Sequence, residues 1–218
     1  MTGPGHRSPG RGTGGLVVDH DTPALGETAT ATFGPAQACR RHPEGPTTAC
    51  ADCHPYRYRL TRAWNETRPA ATFVMLNPST ADALALDPTV RRCLGYARAW
   101  NCGALLVLNV FGLRSTDPRA LRRHPDPVGP ETDQLLDDFF AHQATATGDQ
   151  LGHGPIIAAW GAHATHLDRG RHVAHLAAHH GVQLSALAIT NAGHPGHPLY
   201  LPANARPIPY EPPAPAAA

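Results

Sequence analysis

The sequence predicts an α/β three-layer sandwich built on a central four-stranded parallel sheet. Four near-continuous apolar runs, residues 71–76, 104–110, 155–160 and 184–189, have the form of strands covered on both faces. Between them fall stretches with helical spacing, which place apolar side chains on one stripe of each helix. Strands alternating with helices fold as a doubly wound sheet with right-handed crossovers.

In chain order, residues 1–35 are rich in Gly and polar residues and are expected to be a disordered tail, followed by a cysteine-bearing segment at 36–55. The α/β domain then spans 56–206, and residues 207–218 form a Pro/Ala tail. The first helical stripe carries Val90, Cys93, Leu94 and Ala97, and Cys93 on that face is core rather than nucleophile. Leu135, Leu136, Phe139 and Phe140 make the second stripe, and Val173, Leu176 and Ala177 the third. No internal repeat is evident.

The 218 residues hold one domain with extra tail, at about 150 residues per domain. With 41% apolar content the core is of ordinary size, and a net charge of +1 creates no global field toward nucleic acid or an anionic membrane. All 18 Lys-plus-Arg residues are Arg, a compositional bias that carries no function. The amino terminus has no apolar segment typical of a signal peptide, and no run is long enough to span a bilayer. A cytoplasmic monomer without membrane contact is expected, and in a reducing compartment the five cysteines are thiols or metal ligands.

Open α/β sheets bind ligands beyond the carboxyl ends of their strands, so the residues after each run are the chemical candidates. The first run ends in Leu76, Asn77, Pro78, Ser79, Thr80, Ala81 and Asp82. Asn77 precedes a proline and so leaves the strand extended, although a helix cap by Asn77 or Ser79 is the plainer alternative. The second run ends in Asn109, followed by Val110, Phe111, Gly112 and then Arg114. An amide inside an apolar run must satisfy a donor and an acceptor, which either the edge of a base or neighbouring backbone supplies. Trp160 and Gly161 close the third run, where packing explains them as well as chemistry does. After the fourth run, His194 and His197 are held stiffly by intervening Pro195 and Gly196, a context suited to a hydrogen-bond donor or acid.

Ahead of the domain, Cys39 and His42 form a C-x2-H pair and Cys50 and Cys53 a C-x2-C pair. Four such ligands suit one closed structural zinc, with His54 a rival to His42; unliganded thiols in a loop are the alternative.

These strand ends carry a resemblance. The stretch 56–201, with LNPSTAD, DPTVRRC, LNVFGLR, DPVGPETD, AWGAHA and HPLY in order, resembles a bacterial family known as domain of unknown function 1643. More distantly, the order of motifs is similar to the uracil-DNA glycosylase superfamily, whose fold is a four-stranded parallel sheet between helices. Met75 to Pro78 resemble its first strand-end turn, Val107 to Asn109 its Leu-Leu-Asn end, Ala159 to Ala164 its Trp-Gly end, and His194 to Leu199 its final histidine loop. The resemblance implies hydrolysis of a base–sugar N-glycosidic bond in nucleic acid, a nucleotide or a nucleoside. A non-catalytic nucleotide or nucleic-acid binding module of the same fold is the alternative.

Carried over, Asn77 positions the attacking water, Asn109 reads the base edge, and His197, preferred over His194 for its place in HPLY, donates to the leaving base. Pro78, Ser79 and Arg114 complete the ligand-binding candidates, with Tyr96 as the stacking aromatic. Met75 stands where that superfamily has Gly, which predicts a narrowed approach to the base.

Overall fold

The computed structural model describes residues 27–37, 39–79, 87–145 and 154–213. The strands are β1 (Thr28–Phe33), β2 (Arg57–Ala63), β3 (Ala70–Met75), β4 (Ala104–Asn109), β5 (Ile156–Ala158), β6 (Ser185–Ala186) and β7 (Ile208–Pro209). The helices are α1 (Pro88–Ala99), α2 (Ala120–Arg123), α3 (Thr132–Thr145) and α4 (Arg169–His179), with 3-10 turns at Ala162–Asp168 and Pro198–Tyr200. The strands form one sheet in the order β1-β2-β4-β3-β5-β6-β7.

The four predicted runs are β3, β4, β5 and β6, which pair in parallel as β4-β3-β5-β6 at the centre of the sheet. The expectation of a four-stranded parallel sheet is corrected to seven strands in a mixed sheet, because β1, β2 and β7 add antiparallel edges. Physical reasons explain why these three escape a pattern search. β1 (TATATF) alternates, but its inward residues include two alanines, a weak hydrophobic signal. β2 carries three arginines, two of them buried. β7 is a two-residue edge strand containing proline, the position in a sheet where proline is tolerated. Strands β1 and β7 therefore shorten the tails expected at 1–35 and 207–218; residues 1–26 and 214–218 lie outside the described residues, as do Thr80, Ala81 and Asp82.

Side chains alternate across the central strands and feed two cores. On one face Phe73, Met75, Leu105, Val107, Ile157 and Ala159 pack under Val90, Cys93, Leu94 and Ala97 of α1. On the other, Val74, Leu108, Ile156 and Ala158 meet Leu136 and Phe140 of α3 and Val173, Ala174 and Ala177 of α4. Helices on both faces make the three layers that the alternation of runs predicts. α1 starts where it does because Asp87 accepts from the Val90 amide at 2.8 Å and Pro88 needs no donor partner in the first turn. Arg98 in its last turn complements the helix dipole.

Two hydrogen bonds prolong the β3–β4 pairing past the strand ends: the Val110 amide to the Met75 carbonyl and the Phe111 amide to the Leu76 carbonyl, both 2.9 Å. The chain segments carrying Asn77 and Asn109 thus leave the sheet side by side. Among the described residues no helix is long and apolar enough to cross a membrane.

Candidate functional site

At the carboxyl ends of β3, β4 and β5 lies a cavity of about 450 Å³, within the range of small-molecule sites. Asn77, Asn109 and His197 all line it, arriving from three separate places in the chain. The first turn of α1 closes one side, and Trp160 and Gly161 another. Gly161 has φ +67°, a left-handed conformation that few other residues adopt, and it turns the chain away from the end of β5. Met75 is part of the wall, and the cavity persists beside it.

The two carboxamides differ. The half-buried Asn77 donates through Nδ2 to the carbonyls of Pro78 at 3.1 Å, Leu113 at 3.3 Å and Ser115 at 2.9 Å. Three carbonyl acceptors fix which end of the amide is nitrogen, so Oδ1 is the acceptor left for a ligand or water. Asn109 is 4% exposed and borders the cavity. A carboxamide on a cavity wall can offer one acceptor and one donor group to the paired edge of a ligand.

The His197 ring accepts at Nδ1 from the Leu199 amide, at 3.4 Å, so the neutral ring carries its proton on Nε2. Burial pulls its pKa below 6.5, and the nearby Asp87 carboxylate works against that shift. The result is a neutral donor near pH 7 rather than an imidazolium.

Pro78 and Ser79 also line the cavity. The other sequence candidates lie elsewhere. His194 is not part of the cavity wall; its backbone amide donates to Thr190 Oγ1 at 3.1 Å, within the turn that holds the loop. Tyr96 is buried between Phe73 and Trp100, and its hydroxyl donates to the carbonyls of Leu201 and Pro202, so it anchors the C-terminal segment instead of stacking on a ligand. Arg114 is turned away to the segment at 39–55. The reason in each case is that a helical or loop position near a motif in sequence faces the core or another element in space.

Sequence reasoning missed several lining residues. Tyr200 is 81% exposed at the cavity, its ring 5.4 Å from that of His197, and it supplies the aromatic that Tyr96 does not. The signal was the last letter of HPLY. Arg57 lines the cavity from β2 while only 5% exposed, and nothing in a strand with three arginines singles it out. His163 and Asp87 also reach the wall.

Residues 57–199 match the family described as Protein of unknown function (DUF1643). The chain belongs to this family. Comparisons with curated proteins and with solved structures returned no match. The DUF1643 match takes in β2 to β6 and every residue named in the cavity except Tyr200, which lies one residue past its end.

Outside the DUF1643 span lies the cysteine–histidine knuckle. The ligand atoms of Cys39, His42, Cys50 and Cys53 all fall within 4.8 Å of one another. Cys39 Sγ is 3.4 Å from Cys53 Sγ and 3.9 Å from Cys50 Sγ, and His42 Nδ1 is 3.4 Å from both Cys39 and Cys53 Sγ. A tetrahedron with metal–sulfur bonds of about 2.3 Å and metal–nitrogen bonds of about 2.0 Å has edges of roughly 3.5–3.8 Å. The cluster is therefore compatible with a structural metal such as zinc. His54, the rival ligand, has its Nδ1 3.2 Å from the Gly34 carbonyl and is not in the cluster.

Proposed function

We propose that the cavity takes a nucleobase with its sugar and hydrolyses the base–sugar N-glycosidic bond, in nucleic acid or in a nucleotide. The observation that carries this reading is the meeting of Asn77, Asn109 and His197 on one cavity of about 450 Å³. It agrees with the resemblance of the strand-end motifs to the uracil-DNA glycosylase superfamily.

Each group has a role its geometry supports. Asn109, a cavity-lining carboxamide with a donor and an acceptor, pairs with the donor and acceptor of a base edge. Tyr200 offers an exposed ring for stacking. Asn77 Oδ1 accepts from a water aimed at the sugar carbon, an effect of positioning because an amide is no base. As the carbon–nitrogen bond breaks, its electron pair goes to the base, and the Nε2–H of neutral His197 donates to the charge developing there. A donor aimed at a developing anion lowers a barrier by about 3–4 kcal/mol. The water oxygen bonds to the sugar carbon, and its proton leaves to the departing base, giving free base and free sugar hydroxyl.

A second reading, a binding module of the same fold, is favoured by one observation. Asp87 is the one carboxylate among the described lining residues, and its Oδ1 is committed to the cap of α1. Incubation with damaged-base DNA and a nucleoside panel, following free base, separates the two readings. Hydrolysis predicts release that falls by about two orders of magnitude in Asn77→Ala and in His197→Ala. Saturable binding without release, or release indifferent to both substitutions, ends the catalytic assignment.

For the knuckle we infer one structural zinc on Cys39, His42, Cys50 and Cys53. Its four protein ligands leave no open coordination position, so it stabilises rather than catalyses.

A further inference from the structure

None of residues 39–55 belongs to either large core cluster, although Cys50 and Cys53 are buried. The segment is joined to the rest of the chain by the His54 ring against Phe33, by the Gln37 backbone amide donating to the Cys53 carbonyl at 2.7 Å, and by polar contacts that converge on Arg114. This guanidinium is 4% exposed and donates through Nη1 to the carbonyls of Thr48 at 2.9 Å and His54 at 3.3 Å. Thr48 lies just ahead of Cys50, and His54 directly follows Cys53, so both acceptors flank the second half-site. The Arg114 amide donates to the Pro55 carbonyl at 2.8 Å, and its guanidinium lies 5.4 Å from the Phe33 ring centroid.

On the other side, the residues flanking Arg114 hold Asn77. The carbonyls of Leu113 and Ser115 accept from Asn77 Nδ2, and the Ser115 amide returns a bond to the Pro78 carbonyl at 2.9 Å. One three-residue step of chain, Leu113 to Ser115, thus links the knuckle to the cavity wall. Its terminus at the knuckle is a buried cation that keeps those acceptors only while the turn around Cys50 and Cys53 keeps its shape. Two backbone bonds, from the Cys50 amide to the Thr47 carbonyl and from the His54 amide to the Cys50 carbonyl, brace this turn, and four bonds to one metal would hold it far more tightly.

We propose that the knuckle is a metal-dependent buttress of the cavity, and that Arg114 is the positioning residue through which metal occupancy sets the placement of Asn77. The proposal rests on the zinc reading and is independent of base hydrolysis, since it concerns where an amide is held and not what the amide does. It also accounts for Arg114 standing inside the family span while its acceptors stand outside it.

The test is NMR on the full, ¹⁵N-labelled chain, zinc-loaded and then chelator-stripped, with metal content measured on each sample. The Asn77 side-chain amide pair is assigned by its loss in Asn77→Asp. Zinc at one per chain is expected in the loaded protein. On stripping, the Asn77 pair shifts and the Ser115 amide exchanges about tenfold faster, while β5 amides stay as they were. Zinc-loaded Arg114→Met reproduces the change with its metal retained, and Arg114→Lys, which keeps a charged donor, restores part of the protection. Asn77 and Ser115 signals unmoved by stripping and by Arg114→Met overturn the proposal. If stripping also erases the β5 signals, the chain has unfolded globally and the Arg114→Met sample decides by the same criterion. A loaded sample without zinc refutes the metal reading, and with it the metal dependence, whatever Arg114→Met then shows about Asn77.

Discussion

The cavity walls stand on a sheet packed on both faces, with Phe73, Leu105 and Ile157 fully buried on one and Val74, Leu108 and Phe140 on the other. The knuckle has less of that support: Cys50 and Cys53 are buried, yet neither joins a core cluster, and His54 packs its ring against Phe33. Hydrophobic burial is roughly proportional to area and non-directional, whereas a four-ligand cluster is directional and all-or-none. The same chain therefore uses two kinds of stabilisation, one for the site and one for the appendage that leans on it.

Substitutions break that contrast in graded ways. The largest effect is expected at Phe140, wholly buried on α3: Phe140→Ala lowers the stability of the domain by about 3–5 kcal/mol in chemical denaturation. The folded fraction still binds zinc, because the knuckle takes nothing from that core. Cys53→Ser is expected to abolish stoichiometric zinc while costing the sheet about 1–3 kcal/mol. Should it unfold the chain as completely as Phe140→Ala, the two regions are one cooperative unit and the contrast fails.

Within the cavity, Asn109→Leu sharpens the comparison by turning a polar wall into a core-like one. Replacing the amide by an apolar group of similar size is expected to change stability by no more than about 1 kcal/mol and to abolish base binding or release. A loss of several kcal/mol there would mean that the amide serves the fold rather than a ligand.

The smallest effect concerns His197. Its folded pKa lies below the unfolded value of 6.5, so the unfolded chain takes up a proton first on acidification. Its contribution to stability is present above pH 6.5 and is lost as pH falls from there through the folded pKa. His197→Gln should flatten that part of a melting-temperature profile between pH 7 and the lowered value. Parallel profiles for the two proteins would show that the ring is not desolvated.

Much of the site was readable at the strand ends. The apolar runs gave away the carboxyl ends of β3 and β4, hence Asn77 and Asn109, because ligand position in such sheets follows from topology. Between His194 and His197, both in one rigid turn, only membership of HPLY favoured His197, and the fold shows that it is the one that borders the cavity. Tyr96 misled because helical spacing next to a site does not say which way a ring faces. Tyr200, exposed beside His197, was hidden in plain view by lying just past the motif's histidine.

Taken alone, the amino-acid order determined what depends on near neighbours: the four central strands, from near-continuous apolar runs, the three main helices, from a periodicity of 3.6 residues, and the paired half-sites of the knuckle, from C-x2-H and C-x2-C spacing. Tertiary structure alone decided what depends on partners far along the chain. It added three antiparallel strands, gave Arg114 its acceptors 60 and 66 residues away, and tied Asn77 to carbonyls 36 and 38 residues on. Local pattern reports how a segment buries its own surface; which polar atom ends up satisfied is settled only when distant segments meet and exclude water.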